Sequence, residues 1–181
     1  MTGIEVRLEE PRDRLDALRV EELAFGGPAE AAIVEAVRDL EGSFALVATD
    51  DDAVIGHVQM SRAWIADRPV LALGPIGVLP ERQGSGVGST LVGASLDEAR
   101  RRGEVAVMLL GSPDFYLRFG FQAASRWGLH NPFAGVSPDG FVIEEEHFMV
   151  AALVEPAPVL AGEVWWHPAF GEPVEAPGEP R

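Results

Sequence analysis

Apolar and charged residues alternate along Ile4-Glu-Val-Arg-Leu-Glu, the period-2 pattern of a half-buried strand. Pro11 then suits the first turn of a helix, and Leu15, Leu18, Val20, Leu23 and Phe25 follow at partly helical spacing. Gly26-Gly27-Pro28 breaks that run. A second helix is predicted over about 29–40, with Ile33, Val34 and Val37 on its inner face and Gly42 beyond its end. Ser43 to Thr49 and Ala53 to Met60 are β-rich runs flanking Asp50-Asp51-Asp52, and together they read as a hairpin. The three aspartates lack the further spaced oxygen ligands of a calcium loop, so they read as a solvated turn.

Val70-Leu-Ala-Leu-Gly-Pro-Ile-Gly-Val-Leu is an apolar strand interrupted by Gly74-Pro75. Proline cannot donate to a sheet ladder, so this strand is expected to be bulged or splayed near its middle. Val87 to about Arg102 carries Leu91, Val92, Leu96 and Ala99 at helical spacing. It ends in Arg100-Arg101-Arg102-Gly103, the basic turn and glycine cap that a helix C-terminus favours. Val105 to Leu110 reads as a fully buried strand, Pro113 to about Phe119 as a short helix, and strands follow from about Phe121 and from Glu146 to Val154. The order β-α-α-β-β-β-α-β-α-β-β describes an α/β domain (α+β in some schemes). Val70 to Leu110 is expected to form a parallel crossover within it. The predicted domain covers residues 1–155. A Pro/Gly/Glu-rich extension covers 156–181, of which Val164-Trp165-Trp166 and Phe170 pack back.

Composition narrows the chemistry. A chain of 181 residues, 47% hydrophobic and 24% charged, suits one globular domain with an appendage. With no cysteine there is neither a disulfide nor a Cys-ligated metal, and no metal site is expected. The N-terminus lacks a basic n-region followed by an apolar one, so no signal peptide is expected. No apolar run approaches the ~20 residues of a membrane span, so no membrane partner is expected and the cytoplasm is the predicted compartment. Net charge is -15, from 29 acidic and 14 basic side chains, which argues against nucleic acid as a partner. The same charge is compatible with a cationic substrate.

Between the interrupted strand and the long helix lies Gln83-Gly84-Ser85-Gly86-Val87-Gly88. Alternate glycines at a helix N-terminus let the backbone approach a phosphate-type anion and present unpaired amides to it. A Walker A loop would need a lysine that Gly84-Ser-Gly-Val-Gly-Ser89-Thr90 does not contain. The dinucleotide fingerprint also fails, because its third glycine comes one residue early.

The stretch resembles motif A of the GNAT superfamily of N-acetyltransferases, Gln/Arg-x-x-Gly-x-Gly/Ala, at Gln83, Gly86 and Gly88. Pro80-Glu-Arg and the apolar strand ending at Val78 match as well, and the element order agrees from about Ile4 to Val154. The branch it resembles most is that of bacterial predicted N-acetyltransferases. Leu73-Gly-Pro-Ile-Gly-Val, Leu110-Gly-Ser-Pro-Asp-Phe-Tyr and Trp165-Trp-His-Pro-Ala-Phe are shared features. The resemblance implies a GNAT-like fold: a central mixed sheet with a splayed, bulged strand and helices on both faces. It implies acetyl-CoA as cosubstrate, with the amides of residues 83–88 on the pyrophosphate and Ile76, Gly77 and Val78 along the pantetheine arm. It also implies a role for Tyr116, four residues before Gly120-Phe121, beside the CoA sulfur. A phenol of pKa ~10 held there can protonate the departing thiolate as general acid.

The implied acceptor is a primary amine of a small molecule or protein, not named by the sequence. Candidates for its site are His57 and Gln59 on one strand face, His130 in a loop, and Glu144-Glu145-Glu146, which reads as a solvated strand lead-in. The alternative reading is a CoA-binding sensor that keeps the pocket without turnover. Val164-Trp165-Trp166 offers either a homodimer contact or a cover for the chain's own core.

Overall fold

The computed structural model describes residues 3–136 and 142–171. Its elements, in chain order, are β1 (Glu5–Leu8), α1 (Arg14–Phe25), α2 (Ala29–Val37), β2 (Phe44–Asp50), β3 (Ala53–Ile65), β4 (Arg68–Val78) and α3 (Val87–Arg101). Then follow β5 (Ala106–Leu110), α4 (Pro113–Tyr116), β6 (Gln122–Ala123), β7 (Gly135–Val136), β8 (Val142–Ile143), β9 (Phe148–Ala152) and β10 (Val164–Trp165). Seven strands form one sheet in the order β1-β2-β3-β4-β5-β9-β6, with β10 paired to β3. All pairings in it are antiparallel except β4 with β5, the pair that α3 connects.

Two observations on β4 position the site. Three steps of β4, Leu73 to Ile76, oppose two steps of β3, Met60 to Val58, so the Gly74-Pro75 interruption is a bulge. The parallel pairing of β4 with β5 is confined to Leu71 with Val107 and Ala72 with Met108. Beyond Ala72 the two strands have no pairing, so the ladder between them is open at the level of residues 73–78.

One sheet face packs α3 and α4 over Leu46, Val58, Met60, Leu73 and Leu109. The other carries α1 over Val47 and Val54, and further along a cluster of Ile65, Met108, Phe148 and Val150 capped by Leu160 and Trp166. Alternation along each strand divides its side chains between these faces. β3 is longer than its period-2 run suggests, because Ser61–Ile65 extends past the end of β2 and β10 covers the exposed edge there. Trp166 is thereby buried against Phe133 and Phe148, while Trp165 stacks edge-on against Trp64. Residues 172–181 of the predicted extension lie outside the described residues.

α1 differs from its apolar spacing. Leu15 is 81% exposed, and Leu23 and Phe25 are also exposed, whereas Ala17, Val20 and the charged Glu21 face the sheet. The leucine positions lie more than a quarter turn away from the Ala17–Val20–Glu21 stripe, and the sheet accepts only that stripe. Among the described residues no helix is long and apolar enough to cross a membrane.

Candidate active site

The glycine loop opens α3. Gly84 and Gly86 have φ of 74° and 92°, left-handed values that favour glycine, and Gly86 is the residue from which the helix starts. Leu79-Pro80 ends β4, and a 3-10 turn at Pro80–Arg82 delivers the chain to the loop. Gln83 donates from Nε2 to the Val78 carbonyl at 3.1 Å, tying the loop to the strand end. The first amides of α3 have no partner within the helix, and a cavity of about 330 Å³ lies against these residues. Gly84, Gly86, Val87 and Gly88 line it, and Val78 and Phe115 form its apolar side.

Two arginines that the sequence reading did not single out, Arg82 and Arg118, also line this cavity. No acidic side chain lines it among the described residues, in a chain of net charge -15. Arg82 is braced by Asp50 of the acidic turn at 2.6 Å. Arg118 lies over the Phe115 ring at 4.3 Å and donates from Nε to the Phe115 carbonyl. One arginine braced by a carboxylate and one laid on an aromatic face, beside free helix amides, make an anion cradle.

Ile76 and Val78 are half-buried on the α3 face, and Gly77 turns its α-carbon to the α1 face. From Leu73 onward the β4 edge that faces away from β3 has no strand partner among the described residues. Tyr116 is buried on the same side as the cavity, in edge contacts with Phe115 and Phe121. Gly111 leaves the room its ring needs, since a Cβ at 111 would overlap it. Burial pushes the Tyr116 phenol up to about 12. Tyr116 touches Phe115, which lines the cavity beside the loop.

The candidates for the acceptor side part company. His57 is fully buried, and its Nδ1 lies 2.6 Å from Oε1 of Glu21, which is also fully buried. Burial raises the Glu21 carboxyl above the ordinary carboxylate range, against the opposing pull of His57. Gln59 is buried too and donates to the Phe44 and Met60 carbonyls. His130 is 91% exposed at its side chain and lies 3.4 Å from Glu145. Glu144–Glu146 is exposed, and Glu145 accepts from the Asn131 amide. No group of three or more His, Asp or Glu side chains is placed to hold a metal ion among the described residues.

This arrangement has relatives. The profile of the Acetyltransferase (GNAT) family matches residues 13–121. The uncharacterized N-acetyltransferase YjhQ of Escherichia coli K12 is 31% identical over 164 residues, covering 84% of this chain and 86% of its own. The chain belongs to the GNAT acetyltransferase family. YhbS, an uncharacterized N-acetyltransferase from the same strain, is 35% identical over 72% of this chain and 80% of its own. A crystal structure of YhbS from Escherichia coli in complex with CoA, 29% identical, superposes with a TM-score of 0.78 over 94% of this chain and 93% of that one. A GNAT acetyltransferase from Brucella melitensis in complex with acetyl-CoA gives 0.73, at 29% identity, over 94% and 100%. This protein is therefore an acetyl-CoA-dependent acyltransferase with the mixed, mostly antiparallel sheet of that family.

Proposed function

We propose that the chain transfers the acetyl group of acetyl-CoA to a primary amine by direct attack, with the acceptor carried by a small molecule or a protein. The observation that carries this reading is the cavity at the start of α3, where free amides and two arginines meet with no acidic lining residue. A pyrophosphate fits that chemistry, since the helix dipole and the guanidinium groups both favour negative charge. In this reading residues 83–88 hold the pyrophosphate, and the arm of the cosubstrate enters the opening between β4 and β5. The unpaired edge at Ile76, Gly77 and Val78 then supplies the backbone hydrogen bonds a strand partner would otherwise make.

Tyr116 faces the sulfur in this reading. Its pKa of about 12 keeps it protonated throughout the neutral range. A free thiol ionises at ~8.5, so outright transfer from the phenol is uphill. Tyr116 acts while the C–S bond breaks, by a hydrogen bond that offsets the charge growing on sulfur. Titration of CoA by calorimetry tests the pocket, and absence of heat at high-micromolar CoA removes the reading. Thiol release from acetyl-CoA over a panel of primary amines tests the transfer.

A further inference from the structure

The two arginines of the cavity differ in what already holds them. Arg82 carries its own counter-charge, since its Nη2 lies 2.6 Å from the Asp50 carboxylate. Arg118 has no carboxylate partner among the described residues, in a chain with 29 acidic side chains against 14 basic ones. Its one protein hydrogen bond there runs from Nε to the Phe115 carbonyl at 3.0 Å, which leaves both Nη groups without one. Two aromatic rings hold the guanidinium in place. It stands 4.3 Å from the centre of the Phe115 ring and 5.2 Å from that of Phe119. Phe115 packs edge-on against Tyr116 at 4.8 Å, and a Cβ added at Gly88 would meet the Phe115 ring at 3.9 Å. This aromatic pair thus ties Arg118 to the start of α3. Arg118 is exposed, so it stands where the cavity meets solvent.

Charge decides which part of the ligand such a residue meets. Each phosphorus of the CoA pyrophosphate carries a single negative charge. The phosphate monoester on the ribose 3′ oxygen carries close to two at pH 7, because its second pKa is about 6. The α3 amides, with Arg82 beside them, suit the pyrophosphate, for which N–H groups and the helix dipole need no further full charge. Arg118 reaches the cavity from the turn after α4 and brings the one guanidinium there that has no carboxylate. Two free Nη groups match a dianionic, three-oxygen phosphate in bidentate fashion. We propose that Arg118 selects the acyl donor by binding the ribose 3′-phosphate of CoA through its Nη groups, with the Phe115 and Phe119 rings holding it ready. The proposal rests on the reading above, in which residues 83–88 hold the pyrophosphate. Thioesters of dephospho-CoA, and of phosphopantetheine as a carrier protein presents it, keep the arm and the thioester but lack this group. The protein therefore takes free acyl-CoA in preference to either.

The test is calorimetric titration of the full chain, wild type and Arg118→Ala, with CoA and with 3′-dephospho-CoA at low ionic strength. The wild type should bind CoA about fivefold more tightly than dephospho-CoA, the scale of one exposed charge pair. In Arg118→Ala the CoA Kd should rise until the two ligands agree within about twofold, with the dephospho-CoA Kd kept. Equal losses for both ligands overturn the proposal, because Arg118 would then serve the shared pyrophosphate or the shape of the turn after α4. A wild type that does not distinguish the two ligands overturns it too. Should the alanine variant not fold, Arg118→Gln, which keeps part of the stem over the rings, carries the same expectations. If the wild type binds neither ligand at high-micromolar concentration, the cofactor reading fails and takes the proposal with it. Binding of both with equal Kd removes the proposal alone.

Discussion

Tyr116 and Gly77 are the two residues whose neighbours make the sharpest demands. Burial raises the phenol from 10 to about 12, so the folded protein prefers the protonated form. That contribution is intact below the unfolded value and is lost as pH rises from about 10 through about 12. Wild-type stability to denaturant should therefore fall by roughly 1–3 kcal/mol across that window, and Tyr116→Phe should flatten the fall. In assays the same variant should lose turnover ~10²-fold with CoA affinity kept within twofold, and unchanged turnover would take Tyr116 out of the reaction. Gly77 has its own constraint. An added Cβ meets Glu21 Oε2 at 2.8 Å and the Ala24 Cβ at 3.2 Å, and Glu21 is fully buried with its other oxygen on His57. Gly77→Ala should cost about 1–3 kcal/mol, read from denaturant midpoints.

At the scale of elements, the bulge in β4 and the start of α3 work together. Gly74-Pro75 interrupts the ladder after Leu73, and the same strand loses β5 as its neighbour after Ala72, so its free edge begins where the bulge begins. Val78 then leads through a short turn into a helix whose first residue follows a left-handed glycine. Gly86→Ala forces an L residue to φ near 92°, which costs ~1–2 kcal/mol and tilts the amides; the CoA Kd should rise about tenfold. Arg118 is exposed and packed on Phe115, so its removal should leave the fold alone. Arg118→Ala should raise the CoA Kd ~5-fold at low ionic strength and by less at 0.5 M salt, where screening has already weakened it. A Kd with the same salt dependence in both proteins would show that Arg118 does not meet the ligand's charge.

For the whole molecule, the C-terminal segment is part of the core on the α1–α2 side. Leu160 and Trp166 are buried, and β10 completes the edge of β3. Ending the chain at Glu155 removes both side chains, and a loss of at least ~3–5 kcal/mol is expected in urea denaturation. Much of this molecule is legible along the chain. The helix and strand order, the bulge at Gly74-Pro75 and the glycine loop rest on period, proline and turn chemistry, which act over a few residues. So the fold class and the glycine turn that opens α3 could be read without coordinates. What could not be read depends on register between distant segments. Glu21 and His57 stand 36 residues apart in the chain and meet because α1 crosses the strand pair at the place where His57 faces Gly77. Their environment reverses the usual rule for α1, burying a glutamate while Leu15 stays 81% exposed. Arg82 and Arg118 likewise reach one cavity from either side of α3 and β5. Local pattern states which residues can face inward, whereas packing and the direction of the strands select which of them do.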